Sequence, residues 1–185
     1  MVGTFLLHMD NLSYKILLEL RKQENHIRAF SKQLATNHMT LTRKMEELQK
    51  KNIVDYETRG KNKVFFLKNS LEAKEFLFMA EHSKVIELIQ LQPRLRKIVD
   101  KIKIEKSISL AILFGSYAKG TQAKSSDIDI YIETKQRKLK ETFESMDSRL
   151  SVKIGEFNKD SPLAKEIIKN HIILKGVERY YELIH

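Results

Sequence analysis

Cysteine is absent from this 185-residue chain. Disulfides, thiolate nucleophiles and zinc–thiolate centres are absent with it, which fits an intracellular setting. Prolines number only two: Pro93 and Pro162. No apolar run approaches the span of a membrane, and the opening residues show no basic region leading into an apolar stretch and a cleavage site. The expectation is a cytoplasmic protein with no membrane partner. Internal repeats and low-complexity tracts are missing too. The six histidines show no paired ligand spacing and read as ordinary surface or core residues. Acidic charge is in short supply, and the net charge of +10 with a pI near 9.6 points to a polyanionic partner, although a basic proteome produces the same value.

The chain is long enough for two small domains with modest cores. Its chemistry concentrates between Gly115 and Ile132, which read G-S-Y-A-K-G-T-Q-A-K-S-S-D-I-D-I-Y-I. The preceding Leu110-Ala111-Ile112-Leu113-Phe114 has the length and composition of a buried strand. Gly115 can turn the chain at no steric cost, and Ser116 is placed to cap a following helix whose free N–H groups suit phosphate. Asp127 and Asp129 lie two apart in a strand, so both carboxylates leave one face while Ile128, Ile130 and Ile132 face the core. Two carboxylates held so close repel each other unless a cation joins them, which argues for metal over a structural ion pair. A phosphate cradle beside them suits Mg²⁺ and a nucleoside triphosphate.

Gly115-Ser116, Lys119-Gly120 and Ser126-Asp127-Ile128-Asp129 resemble the motif of the polymerase-beta-like nucleotidyltransferase superfamily, in its minimal nucleotidyltransferase branch. Lys169-Asn170-His171-Ile172-Ile173-Leu174-Lys175-Gly176 is similar to the run that commonly closes that branch, after a helix over Leu163 to Ile168. The resemblance covers about Ile108 to the C-terminus and implies an α/β domain with a mixed sheet. It implies two Mg²⁺ ions on Asp127 and Asp129, with Gly115, Ser116 and Ser126 at the nucleotide. Lys119 either adds charge at the leaving group or is a surface lysine.

The family places a third carboxylate on a later strand, ahead of a Pro-containing loop. Here the matching segment is Val152-Lys153-Ile154-Gly155-Glu156-Phe157, before Ser161-Pro162-Leu163. Lys153 occupies the third-acid position, where its ammonium could replace a metal's charge. Glu156 becomes the third catalytic acid if a bulge at Gly155 turns it inward.

The N-terminal half is a different object. Leu12, Ile16, Leu17 and Leu20 share a face and predict a helix over Asn11 to Lys22. A short helix over Ile27 to Leu34, a turn at Ala35-Thr36-Asn37 and a third helix over Met39 to Lys51 follow. Two strands, Ile53 to Glu57 and Lys63 to Leu67, flank a basic hairpin tip at Thr58-Arg59-Gly60-Lys61-Asn62. This order resembles a winged helix-turn-helix. From Arg21 to Lys68 the chain carries twelve Lys or Arg against five Asp or Glu, the footprint of phosphate-backbone contact. Thr40, Thr42, Arg43 and Lys44 on the third helix, with Arg59 and Lys61 on the wing, are the candidate DNA-binding residues. A solvated basic face on a protein-contact module is the alternative.

The resulting reading is an α+β chain with a winged helix over residues 1–70, a connecting helix over 71–92 and a nucleotidyltransferase domain over 93–185. Apolar residues such as Phe76, Leu77, Met79 and Ile86 on the connector imply packing between domains or in a homodimer. Two functions stay open. One is an enzyme moving a nucleoside monophosphate from a triphosphate to a hydroxyl, with release of pyrophosphate. The other is a DNA-binding regulator or antitoxin-like protein whose degenerate nucleotidyltransferase domain senses nucleotide or binds a partner such as a cognate toxin.

Overall fold

The computed structural model describes residues 9–184; the opening residues considered for a leader lie outside them. The chain divides into two compact units that meet inside one long helix, at Ala80 and Glu81.

In the first unit, helix α1 (Asn11–Lys22) starts where Asp10 Oδ1 accepts from the Ser13 N–H and hydroxyl at 2.9 and 2.8 Å, an N-cap that satisfies an otherwise unpaired donor. Ile16, Leu17 and Leu20 are its buried stripe. A two-residue strand β1 (Asn25–His26) leads into α2 (Ile27–Gln33), capped by His26 Nδ1 accepting from Ala29 N–H at 3.1 Å. Helix α3 (His38–Lys50) is capped by Asn37 and buries Leu41, Met45 and Leu48. Strands β2 (Val54–Arg59) and β3 (Asn62–Leu67) form an antiparallel hairpin whose tip is Gly60-Lys61, with Gly60 at φ +61°. The strand order β1-β3-β2, with α2 and α3 between β1 and the hairpin, is a winged helix-turn-helix. The sequence pattern does not predict β1, because two residues carry no periodicity and the strand exists only through its pairing with Val64 and Phe65.

Helix α4 (Leu71–Leu91) is shared by the two units. The second unit continues through a 3-10 turn (Pro93–Leu95), α5 (Arg96–Ile104), β4 (Leu110–Phe114), α6 (Gly115–Lys119), β5 (Ile128–Glu133) and α7 (Leu139–Glu144). It closes with β6 (Leu150–Ile154), α8 (Pro162–Lys169), β7 (Ile172–Lys175) and α9 (Val177–Ile184). The sheet order is β6-β5-β4-β7, with β4 antiparallel to both neighbours and β5 parallel to β6. The sheet is therefore mixed, as expected.

Alternation along β5 divides the work. Ile128, Ile130 and Ile132 join a core with Ala111, Leu113 and Val152, covered by Val99 and Ile102 of α5 and Phe143 of α7. Asp129, Tyr131 and Glu133 take the other face. That face is also covered in part: Tyr131 is buried, Phe157 packs on it edge-on, and Tyr180 of α9 packs on Phe157. Among the described residues, no helix is long and apolar enough to cross a membrane.

Candidate nucleotide and metal site

The β4–β5 register brings Phe114 opposite Asp129, so the residue after Phe114 meets the carboxylate. That residue is Gly115, at φ +70°. A Cβ there would lie 2.5 Å from Asp129 Oδ2, closer than any side chain tolerates. Glycine is thus required twice, by backbone conformation and by the carboxylate.

Ser116 is the second residue of α6, not its cap. The capping position belongs to Phe114, which makes no side-chain cap bond, so the expectation that Ser116 caps the helix is corrected. The strand runs straight into the helix and leaves no intervening residue for a cap. Gly120, at φ +70°, ends the helix in a left-handed C-cap.

Ser126 has a structural task. Its hydroxyl accepts from Ala123 N–H at 2.8 Å and its own N–H donates to Ala123 O at 3.1 Å. This closes the loop that delivers Asp127. Asp127 is exposed, whereas Asp129 is partly buried. Burial and then the Asp127 charge push the Asp129 carboxyl above its ordinary value, against a hydrogen bond from Ser151 and the charge of Lys153. Lys119 Nζ lies 3.5 Å from Glu166 Oε1 of α8, and the Glu166 charge also reaches Asp129. Sequence reasoning missed Ser151 and Glu166.

The parallel register pairs Ser151 with Asp129 and Lys153 with Tyr131. By alternation, both β6 side chains share the face of Asp129; Asp127 lies in the loop just before β5 and not in the strand, where its spacing from Asp129 predicts it. Glu156 does not reach it. The β5–β6 register runs unshifted from Ile128↔Leu150 to Ile132↔Ile154, so the bulge at Gly155 that would turn Glu156 inward is absent. Gly155 lies just past the strand and donates to Ile132 O at 3.3 Å. Glu156 therefore sits at the Glu133 end of β5, about 13 Å along the strand from Asp129. It lines a cavity of about 1170 Å³ with Ser109, Glu133, Phe157 and Arg179.

The donor set gives a direct test of fit for magnesium. Among the described residues, no group of three or more His, Cys, Asp or Glu side chains is placed to hold an ion. Asp127 and Asp129 offer two carboxylates beside a glycine backbone. That set fits a hard cation completing its shell with phosphate oxygens and water.

Known proteins support the domain type. Residues 96–179 match the family model described as "Polymerase beta, Nucleotidyltransferase". No curated protein matches the chain. Three solved structures are similar in part. The adhesin competence repressor AdcR from Streptococcus pyogenes aligns at 21% identity and TM-score 0.42, over 52% of this chain and 78% of that one. A toxin–antitoxin structure with AMP-PNP aligns at 24% and 0.37, over 50% and 78%. A mutant form of the toxin–antitoxin MntA-HpeT aligns at 21% and 0.34, over 55% and 78%. TM-scores this low carry no functional weight.

The candidate DNA-binding residues of the winged helix fare differently from one another. Arg43 and Lys61 are exposed, and Thr40 is half-buried. Thr42 Oγ1 donates to His38 O at 3.0 Å. Lys44 lies 2.9 Å from Asp10 and 2.7 Å from Glu47, with its side chain 15% exposed. Arg59 is paired with Glu24 at 2.6 Å and with Glu57. Lys44 and Arg59 are thus neutralised within the unit. A cavity of about 580 Å³ is lined by His26, Arg28, His38, Lys61 and Lys63, with Ile27 and Asn62. Its Arg28, Lys63 and two histidines escaped sequence reasoning, although their basic character was visible in the sequence.

Proposed function

We propose that residues 93–185 bind a magnesium–nucleoside triphosphate complex, and that the winged helix of residues 1–70 binds DNA, the two joined by the helix over 71–92. The observation that carries the nucleotide reading is the carboxylate pair: Asp129 stands against a glycine that no other residue can replace, with exposed Asp127 two residues before it. In this reading Asp127 and Asp129 hold the ion. Gly115 and Ser116 meet the terminal phosphates through N–H and hydroxyl groups. Lys119 contributes charge at the leaving group to the extent that Glu166 releases it, and Ser126 keeps the Asp127 loop in shape. The ion, when bound, would neutralise charge on the phosphoryl group attacked by an acceptor hydroxyl.

Calorimetry with Mg²⁺ and a non-hydrolysable ATP analogue tests this. Wild type is expected to bind the pair together, and the Asp127→Asn/Asp129→Asn variant to lose that binding. Equal binding by both proteins would reject the site.

A second reading is favoured by Ser151 and Lys153, which occupy the face where a third carboxylate would be needed. In that reading the domain senses nucleotide or holds a protein partner, such as a cognate toxin, and the chain is a DNA-binding regulator, with a homodimer reading two half-sites. Transfer of labelled nucleotide to any hydroxyl acceptor separates the two. Its presence in wild type supports the enzyme, and its absence alongside intact nucleotide binding supports the regulator.

A further inference from the structure

We propose that this site takes one divalent ion, arriving with the nucleotide, and that the Lys153 ammonium supplies the positive charge that a second ion would otherwise bring. The inference rests on the nucleotide reading of Asp127 and Asp129 and deepens it. Two-ion phosphoryl-transfer sites need carboxylates enough to clamp both attacking and leaving oxygens. Here the clamp has two arms. The strand beside Asp129 is β6, and the residue paired with Asp129 in the parallel register is Ser151, on the same face of the sheet. A neutral hydroxyl at that position leaves no anionic ligand opposite Asp129.

The next residue on the same face is Lys153, paired with Tyr131 and exposed. A cation in that place repels a second divalent ion and attracts triphosphate oxygens, so it acts as a phosphate-positioning group. Lysine does this as a point charge on a flexible stem. No other described acid substitutes. Glu156 lies past the far end of β6. Glu166 is the remaining anion near Asp129, and it is held by Lys119 at 3.5 Å on α8.

The test counts ions rather than turnover. Mn²⁺ bound to the full-length protein is measured by electron paramagnetic resonance, with a non-hydrolysable ATP analogue present. One Mn²⁺ per chain is expected in wild type. Ser151→Asp and Lys153→Asp each restore an acid on this face, and at least one is expected to take a second Mn²⁺. Lys153→Ala is expected to keep one Mn²⁺ while its affinity for the analogue falls roughly tenfold, the loss of one charge-assisted contact.

Two Mn²⁺ per wild-type chain overturn the proposal and leave the nucleotide reading standing. A fall from two to one in Glu166→Gln would then identify Glu166 as the third ligand. Unchanged analogue affinity in Lys153→Ala overturns the role given to Lys153. No Mn²⁺ in wild type overturns both proposal and reading. The wild-type count decides the stoichiometry even if an aspartate variant fails to fold.

Discussion

At the scale of single residues, glycine and buried charge decide most. Gly115→Ala places a methyl group 2.5 Å from Asp129 Oδ2 and forces an L-residue to φ +70°. The left-handed conformation alone costs about 1–2 kcal/mol, and the carboxylate must also move. The variant is expected to lose roughly that much stability in urea titration and to lose Mg²⁺–nucleotide binding altogether. Retained binding would mean that Asp129 is not part of the site. Glu81, 2% exposed, receives the Tyr181 hydroxyl at 2.9 Å, pairs with Lys84 at 2.6 Å and lies 3.6 Å from His171 Nε2. Burial alone would raise its carboxyl. The contact with His171 and the charges of Lys84 and His171 outweigh it and hold the group at about 2, below its ordinary 4.5. A depressed carboxyl stabilises the fold above the unfolded value, and that stability drains away as pH falls from 4.5 towards 2. The drop corresponds to roughly 3 kcal/mol. Denaturation midpoints measured from pH 6 down to about 2.5 should fall steeply in wild type. The Glu81→Gln variant, less stable at neutral pH, should show a shallower fall.

At the scale of elements, the structure sorts the basic residues of the winged helix by what already holds them. Arg43 and Lys61 are exposed, whereas Lys44 and Arg59 are tied to Asp10, Glu47, Glu24 and Glu57. If the unit binds duplex DNA, Arg43→Ala and Lys61→Ala should each flatten the plot of log affinity against log salt by about one unit. Lys44→Ala and Arg59→Ala should leave the slope almost unchanged. Fluorescence anisotropy on one duplex across a salt series reads all four, and equal effects would show that the internal ion pairs open on binding. Asp10 holds both the start of α1 and Lys44 of α3. Asp10→Ala is expected to destabilise the protein by about 1 kcal/mol, the usual cost of a lost N-cap, by urea titration at neutral pH.

At the scale of the whole molecule, the charge of +10 sets the long-range behaviour. Binding to duplex DNA through about four to six phosphates should give a slope near −4 to −5 in log affinity against log salt. Salt-independent binding, or none at low salt, would mark the winged helix as a protein-contact module. The slope belongs to the chain as a whole, whereas the four substitutions locate it.

Local physics made much of the fold legible. Asn11 to Lys22 is a helix because its apolar residues recur at helical spacing behind a capping aspartate. Leu110 to Phe114 is a strand whose five apolar residues are all buried, as its short, apolar, aliphatic-rich run suggests. The Gly115-Ser116 and Asp127-Asp129 pairs stand out in the sequence because their members lie within two residues of each other. What escaped depends on partners distant in sequence. Arg59 is neutralised by Glu24, 35 residues away, and Lys44 by Asp10, so neither spacing nor charge counting foretells them. Strand β1 exists only through β3. Above all, the residue opposite Asp129 was not legible. Alignment on the Pro162 loop directed attention to Lys153 and Glu156. The parallel register of β5 on β6 put Ser151 beside Asp129 and carried Glu156 beyond the strand end. Sequence alone determined which residues are candidates to meet a phosphate and a cation. Sheet register, a property of two strands packed against a shared core, decided which of them stand together.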